Sequence, residues 1–142
     1  MDSRSGLVVG RRLTSATGKS AREVAQQMIG RRVGGQRLTL GVDKGYDTQD
    51  FVNRLRKLDV SPHIACKTVD SEMEFSLTVY PNYNISQTAL YRVEEVFGWM
   101  KTVGVMRKTR HRDARRAGWM FTVTTAVYNL VRMRNLGLGV AA

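Results

Sequence analysis

Asp43 directly follows Leu38-Thr-Leu-Gly-Val42, a short apolar run bounded by turn residues that suits a buried strand. Functional side chains of parallel sheets gather where strands end, so a carboxylate here is well placed for chemistry, and capping the next helix is the plain alternative. Glu94 and Lys101 lie seven positions apart, roughly two helical turns, and therefore share a face on which Gly98 leaves open surface. A solvated stripe explains that pair equally well. Residues 107 to 116, Arg-Lys-Thr-Arg-His-Arg-Asp-Ala-Arg-Arg, hold six Lys or Arg against the single acid Asp113. Such density repels itself unless phosphates relieve it, which makes nucleic-acid contact the leading reading and a solvated link between helices the other. Trp99 and Trp119 flank this run. An aromatic beside a basic groove can stack on an unpaired base, although core packing is the ordinary use of each.

Other chemistries lose support on spacing. Gly18-Lys19-Ser20 resembles the end of a phosphate-binding loop, but Leu13 stands where that motif needs its first glycine. His63, Cys66 and His111 have no paired spacing for zinc, and no Ser-His-Asp context supports acyl transfer.

The elements that must position these residues alternate. Gly6 to Val9 reads as a strand, Ser20-Ala-Arg-Glu23 as a capping box, and Val24, Ala25, Met28 and Ile29 as one face of a helix stopped by Gly30, with Gly34 and Gly35 in the loop. After the strand at 38–42, Gly45 permits a turn, Asp47-Thr-Gln-Asp50 supplies caps, and Phe51, Val52, Leu55 and Leu58 stripe a helix ending near Asp59. Pro62 then opens a strand, His63 to Cys66. This alternation predicts an α/β fold with a parallel sheet and right-handed crossovers. Residues 67 to 85 read as irregular, with an extended piece at Phe75 to Tyr80 and a turn at Pro81-Asn82. From about Ser86 the pattern is helical, with Leu90, Val93, Phe97 and Met100 as one stripe, and a last helix buries Met120, Val123, Val127, Leu130 and Val131.

The chain has 142 residues, 42% of them hydrophobic, and only two prolines, which suits one folded domain and excludes disordered or collagen-like classes. Its net charge of +11 points to a polyanionic partner. That charge gathers in residues 1 to 37 (+6) and 90 to 142 (+7), while 68 to 89 contain acids and no Lys or Arg. Cys66 is the sole cysteine and forms no disulfide within the chain. The charged start is unlike a signal peptide, and no window approaches a membrane span, so a cytosolic protein without a membrane partner is expected.

Four segments together carry a family resemblance: Thr39-Leu-Gly-Val-Asp-Lys-Gly-Tyr-Asp47, Glu94-Glu-Val-Phe-Gly-Trp-Met-Lys101, Val105-Met-Arg-Lys-Thr-Arg110 and Ala126-Val-Tyr-Asn-Leu-Val-Arg132. In this order they resemble bacterial insertion-sequence transposases of the DDE class, over almost the whole length from Gly6 to Arg132. The resemblance implies a ribonuclease H-like fold in which three carboxylates hold two divalent ions, Mg²⁺ or Mn²⁺, for strand cleavage and transfer at transposon ends. By it Asp43 is the second carboxylate and Glu94 the third, both metal ligands and catalytic, and Lys101, Arg107, Lys108, Arg110 and Arg112 contact DNA. Around the glutamate the family has Tyr, two residues, Arg, three residues, Glu, six residues, Lys. Here Glu94 and Lys101 fit, while Gln87 stands at the Tyr position and Leu90 at the Arg position.

The resemblance further implies that the first catalytic Asp lies on a strand upstream of Gly6, where Asp2 has no such context. The expectation is therefore a C-terminal part of the catalytic domain, residues 1–134, lacking the first strands and inactive alone, with a flexible tail at 135–142. By the same resemblance its partners would be transposon-end DNA and a second transposase chain, and its place the bacterial cytoplasm in association with the nucleoid. The competing function is a basic nucleic-acid-binding fragment without catalysis that inhibits intact transposase, and a basic RNA-binding structural protein is a third that leaves the motifs unexplained.

Overall fold

The computed structural model describes residues 1–17, 20–31, 38–65 and 83–137. Its elements run α1 (Ser20–Gly30), β1 (Leu38–Val42), a 3-10 turn (Lys44–Tyr46), α2 (Gln49–Lys57), β2 (Val60–Ile64), α3 (Tyr83–Thr102) and α4 (Ala114–Asn135). They divide into two units, Ala16–Leu90 and Met1–Ser15 with Tyr91–Ala142, and each has its own core.

In the first unit β1 and β2 pair in parallel, from Leu38 opposite Val60 to Val42 opposite Ile64, and α2 makes the crossover between them. The amphipathic stripe of α2 explains its packing: Phe51, Val52 and Leu55 recur on one side, are fully buried, and meet Ile29, Val60 and Ile64. Asp59, at φ 57°, turns the chain from α2 into β2. Because α2 packs on β2, that strand is buried nearly throughout. β1 exposes Leu38 and Thr39 and only half-buries the rest, where the sequence predicts a buried strand. β2 also starts two residues before Pro62. A proline is tolerated inside it because among the described residues β2 has a neighbour on one side only, so the missing donor need not interrupt a ladder. Helix α1 begins on Ser20 itself, whose amide meets Oγ1 (3.3 Å) and O (3.2 Å) of Thr17 and whose hydroxyl donates to that same carbonyl at 3.0 Å.

In the second unit Val96 and Met100 of α3 and Tyr128 of α4 form the core, with Val8, Trp99 and Phe121 against it. The turn that follows α3 meets α4 closely at Gly104: a Cβ there would fall 2.5 Å from Cγ2 of Thr124 and 2.7 Å from the Met100 carbonyl. Three expectations are corrected. Val96, not Phe97, fills the core beside Met100, and Phe97 is exposed. On α4 the buried residues are Thr124, Thr125 and Tyr128, Met120 is half-buried, and Val123, Val127, Leu130 and Val131 face outward. A helix apolar around most of its circumference offers no single stripe to choose, and Thr125 buries its hydroxyl by donating to the Phe121 carbonyl at 2.6 Å. Finally, Gly6 to Val9 is not a strand. The amide and carbonyl of Val8 pair instead with the side chain of Asn129, at 2.9 and 3.0 Å.

The loop glycines Gly34 and Gly35, Cys66, the extended piece at Phe75 to Tyr80, the turn at Pro81-Asn82 and residues 138–142 of the expected tail lie outside the described residues.

Candidate functional site

Asp43 stands at the C-terminal end of β1 in extended conformation, and its Oδ1 accepts the Lys44 amide at 2.6 Å, capping the 3-10 turn. Cap and candidate ligand coexist in one exposed side chain, because the second carboxylate oxygen has no hydrogen bond or ion pair among the described residues. Glu94, Gly98 and Lys101 are all exposed on α3, and a Cβ at Gly98 would meet nothing within 4 Å, so that face is open as predicted. Asp43 belongs to the first unit and Glu94 to the second. Among the described residues no three His, Cys, Asp or Glu side chains form a group that could hold a metal ion.

The two departures from the family signature have packing partners in the first unit. Gln87 donates to the His63 carbonyl at 2.9 Å, and Leu90 approaches Gly41, whose Cβ position lies 3.8 Å from its Cδ2. One turn earlier, Ser86 Oγ lies 2.7 Å from Nδ1 of buried His63. Burial lowers the His63 pKa below its usual 6.5. Gln87 and Leu90 therefore seat the start of α3 on the two strands. Asp2 is occupied in a turn, accepting from the amide and hydroxyl of Ser5, and these hydrogen bonds lower its pKa.

The basic run leaves α3 through Val105, which holds a positive φ of 56°. It stays irregular until α4 begins. Asp113 caps that helix, accepting the amides of Arg115 (3.2 Å) and Arg116 (3.3 Å). Arg107, Lys108, Arg110, Arg112, Arg115 and Arg116 are all exposed, and among the described residues none has an ion-pair partner. Other arginines of this unit are engaged. Arg92 donates to the carbonyls of Ser3 (2.6 Å) and Arg4 (3.1 Å), and Arg132 to that of Ser5 at 2.9 Å, so that with Asn129 they strap residues 1–8 to the helices. The sequence reading assigns these three no role. The available signal is polar Asn129 amid the apolar positions 126 to 131.

A parallel α/β unit with an exposed carboxylate at a strand end, together with exposed cations that have no ion-pair partner among the described residues, defines a protein suited to a polyanionic partner. The chain matches the family model described as "Transposase DDE domain" over residues 1–130, and it belongs to that family. Neither a curated protein nor a solved structure matches it. Membership ties the chain to DNA transposition, and the family typically uses a divalent metal. The mixed α/β architecture is compatible with part of a ribonuclease H-like fold. Among the described residues no helix is long and apolar enough to cross a membrane.

Proposed function

We propose that the chain acts in strand cleavage and transfer at the ends of a bacterial insertion sequence, with Asp43 and Glu94 supplying carboxylates to Mg²⁺ or Mn²⁺ and with Lys101, Arg107, Lys108, Arg110 and Arg112 on DNA phosphates. The observation that carries this reading is the exposed basic run of residues 107–116, whose six cations have no ion-pair partner among the described residues, in a chain of the transposase family. Asp43 and Glu94 are exposed hard oxygen donors, the type such ions take, and they are assigned singly because the described residues contain no three-ligand group. Asp43 and Glu94 would be the residues to hold such an ion, which when bound would supply Lewis acidity for phosphoryl transfer. The protein's own part is to grip the DNA backbone so that the phosphate to be cut stays in place.

Fluorescence anisotropy of a labelled duplex tests the grip. If about six phosphates are engaged, affinity drops on the order of a thousandfold between about 50 and 200 mM salt. Replacing Arg107, Lys108, Arg110 and Arg112 with Ala weakens binding to all sequences alike and flattens the salt slope to about a third. A flat slope in the unmodified chain, or no binding at low salt, refutes the reading.

A further inference from the structure

The two tryptophans beside the basic run have opposite surroundings. Trp99 is half-buried, its ring 5.5 Å from that of Tyr128 at 70°, an edge-on core contact. Trp119 is 67% exposed. It sits on the second turn of α4, and helical side chains lean back over the turn that precedes them, here the turn carrying Arg115 and Arg116. Those arginines are the i−4 and i−3 neighbours of the indole, both exposed and both without an ion-pair partner among the described residues. An apolar face of this size left in water, next to two uncompensated guanidinium groups, matches a strand that offers a flat base and a phosphate together.

We propose that Trp119 is a stacking platform for an unpaired DNA base, with Arg115 and Arg116 holding the phosphates beside it. This rests on the DNA reading of the basic run and adds a preference to it. A duplex keeps its bases stacked on one another and offers the indole nothing, whereas a single strand, overhang or frayed end presents a free π-face. The same exposure also continues along α4 through Val123, Val127 and Leu130, so a partner helix is the rival occupant of this face. Charge decides between them at Trp119: residues 107–119 contain six cations and one acid, and that acid is spent on the cap.

The test measures binding of the full chain to a labelled duplex, to the same duplex with a single-stranded overhang, and to the single strand. Trp119→Ala should weaken overhang and single-strand binding on the order of tenfold and leave duplex binding unchanged, with Trp119→Phe restoring most of the loss. In a Trp99→Phe background the remaining indole emission should be quenched by the single strand and not by the duplex. Equal losses on all three DNAs, no loss on any, or unquenched emission with bound single strand would each overturn the proposal. So would a Trp119→Ala chain that binds every DNA normally but sediments as a smaller species, the signature of a helix partner. If the unmodified chain binds the duplex with the expected salt slope, such outcomes remove the stacking site alone; if it binds no DNA, both readings fall.

Discussion

Asn129 closes both polar groups of a single residue 121 positions away: Oδ1 accepts the Val8 amide at 2.9 Å and Nδ2 donates to the Val8 carbonyl at 3.0 Å. Asn129→Asp preserves the shape and the acceptor but replaces the donor with an oxygen facing another oxygen. Each hydrogen bond contributes about 1 kcal/mol net, and an orphaned buried carbonyl costs about 1–3 kcal/mol. Both Asn129 and Val8 are half-buried, so the lower part of that range applies. The expected destabilisation is about 1–2 kcal/mol for Asn129→Asp at neutral pH, and about 2 kcal/mol for Asn129→Ala, which loses both bonds. A protonated carboxyl regains an O–H donor, so the Asp variant should recover stability as pH falls through about 4. Native-state hydrogen exchange reads the contact directly: the Val8 amide should lose protection in Asn129→Ala, with the β2 amides as the internal control. A Val8 amide equally protected in that variant would refute the reasoning, and would assign the attachment of this segment to the packing of Met1 and Val8 on Val96, Met100 and Tyr128.

Leu55→Ala, at a fully buried position, should lower stability by about 2–5 kcal/mol in urea titrations followed by circular dichroism. Arg54→Ala, which removes an exposed pair with Asp50 and an exposed hydrogen bond to Oε1 of Gln26 (3.3 Å), should stay within about 1 kcal/mol. Burial holds the His63 pKa below its unfolded value near 6.5, so the folded state binds fewer protons than the unfolded chain; stability should be full above about pH 6.5 and decline as pH falls below it, and a His63→Gln chain should show a smaller decline in urea midpoint between about pH 7.5 and 5.5. Calorimetry with Mg²⁺ or Mn²⁺ should show weaker binding in both Asp43→Asn and Glu94→Gln; affinity unchanged by either would make these side chains a cap and a solvated helix residue.

The parts legible in the sequence are those where one face alone carries the apolar residues. The stripe of α2, with polar residues between Phe51, Val52 and Leu55, admits one orientation, and the apolar run at 38–42 matches β1 residue for residue. On α4 the same reasoning failed because Trp119, Val123, Val127 and Leu130 are as apolar as the face that is buried, and the choice was made by Gly104 and Thr124, whose close approach depends on small size and leaves no mark in hydrophobic periodicity. The segment at Gly6 to Val9 looked like a strand because its composition is that of a strand. Its actual partner is a side-chain amide distant in the chain, which local pattern cannot show. At the site, the exposed Asp43, the open Glu94 face and the basic run were all readable from residue type and spacing, since each depends on local geometry. The opposite environments of Trp99 and Trp119 were not, because both have helical neighbours of similar kind and only tertiary packing separates them.

Asp113 is the one acid within the basic run and also the cap of α4. Those two duties give neighbouring positions different structural consequences on substitution. Changing Asp113 to Ala raises the local charge, which by itself favours a polyanion, but frees the amides of Arg115 and Arg116 and costs about 0.5–2 kcal/mol at the helix start. Arg107, Lys108, Arg110 and Arg112 carry no comparable structural duty among the described residues and can be exchanged one at a time with little effect on folding. Surface charge can thereby be varied within the irregular part of the run at little structural cost, while a change at Asp113 disturbs the point at which α4 begins and with it the placement of Arg115, Arg116 and Trp119.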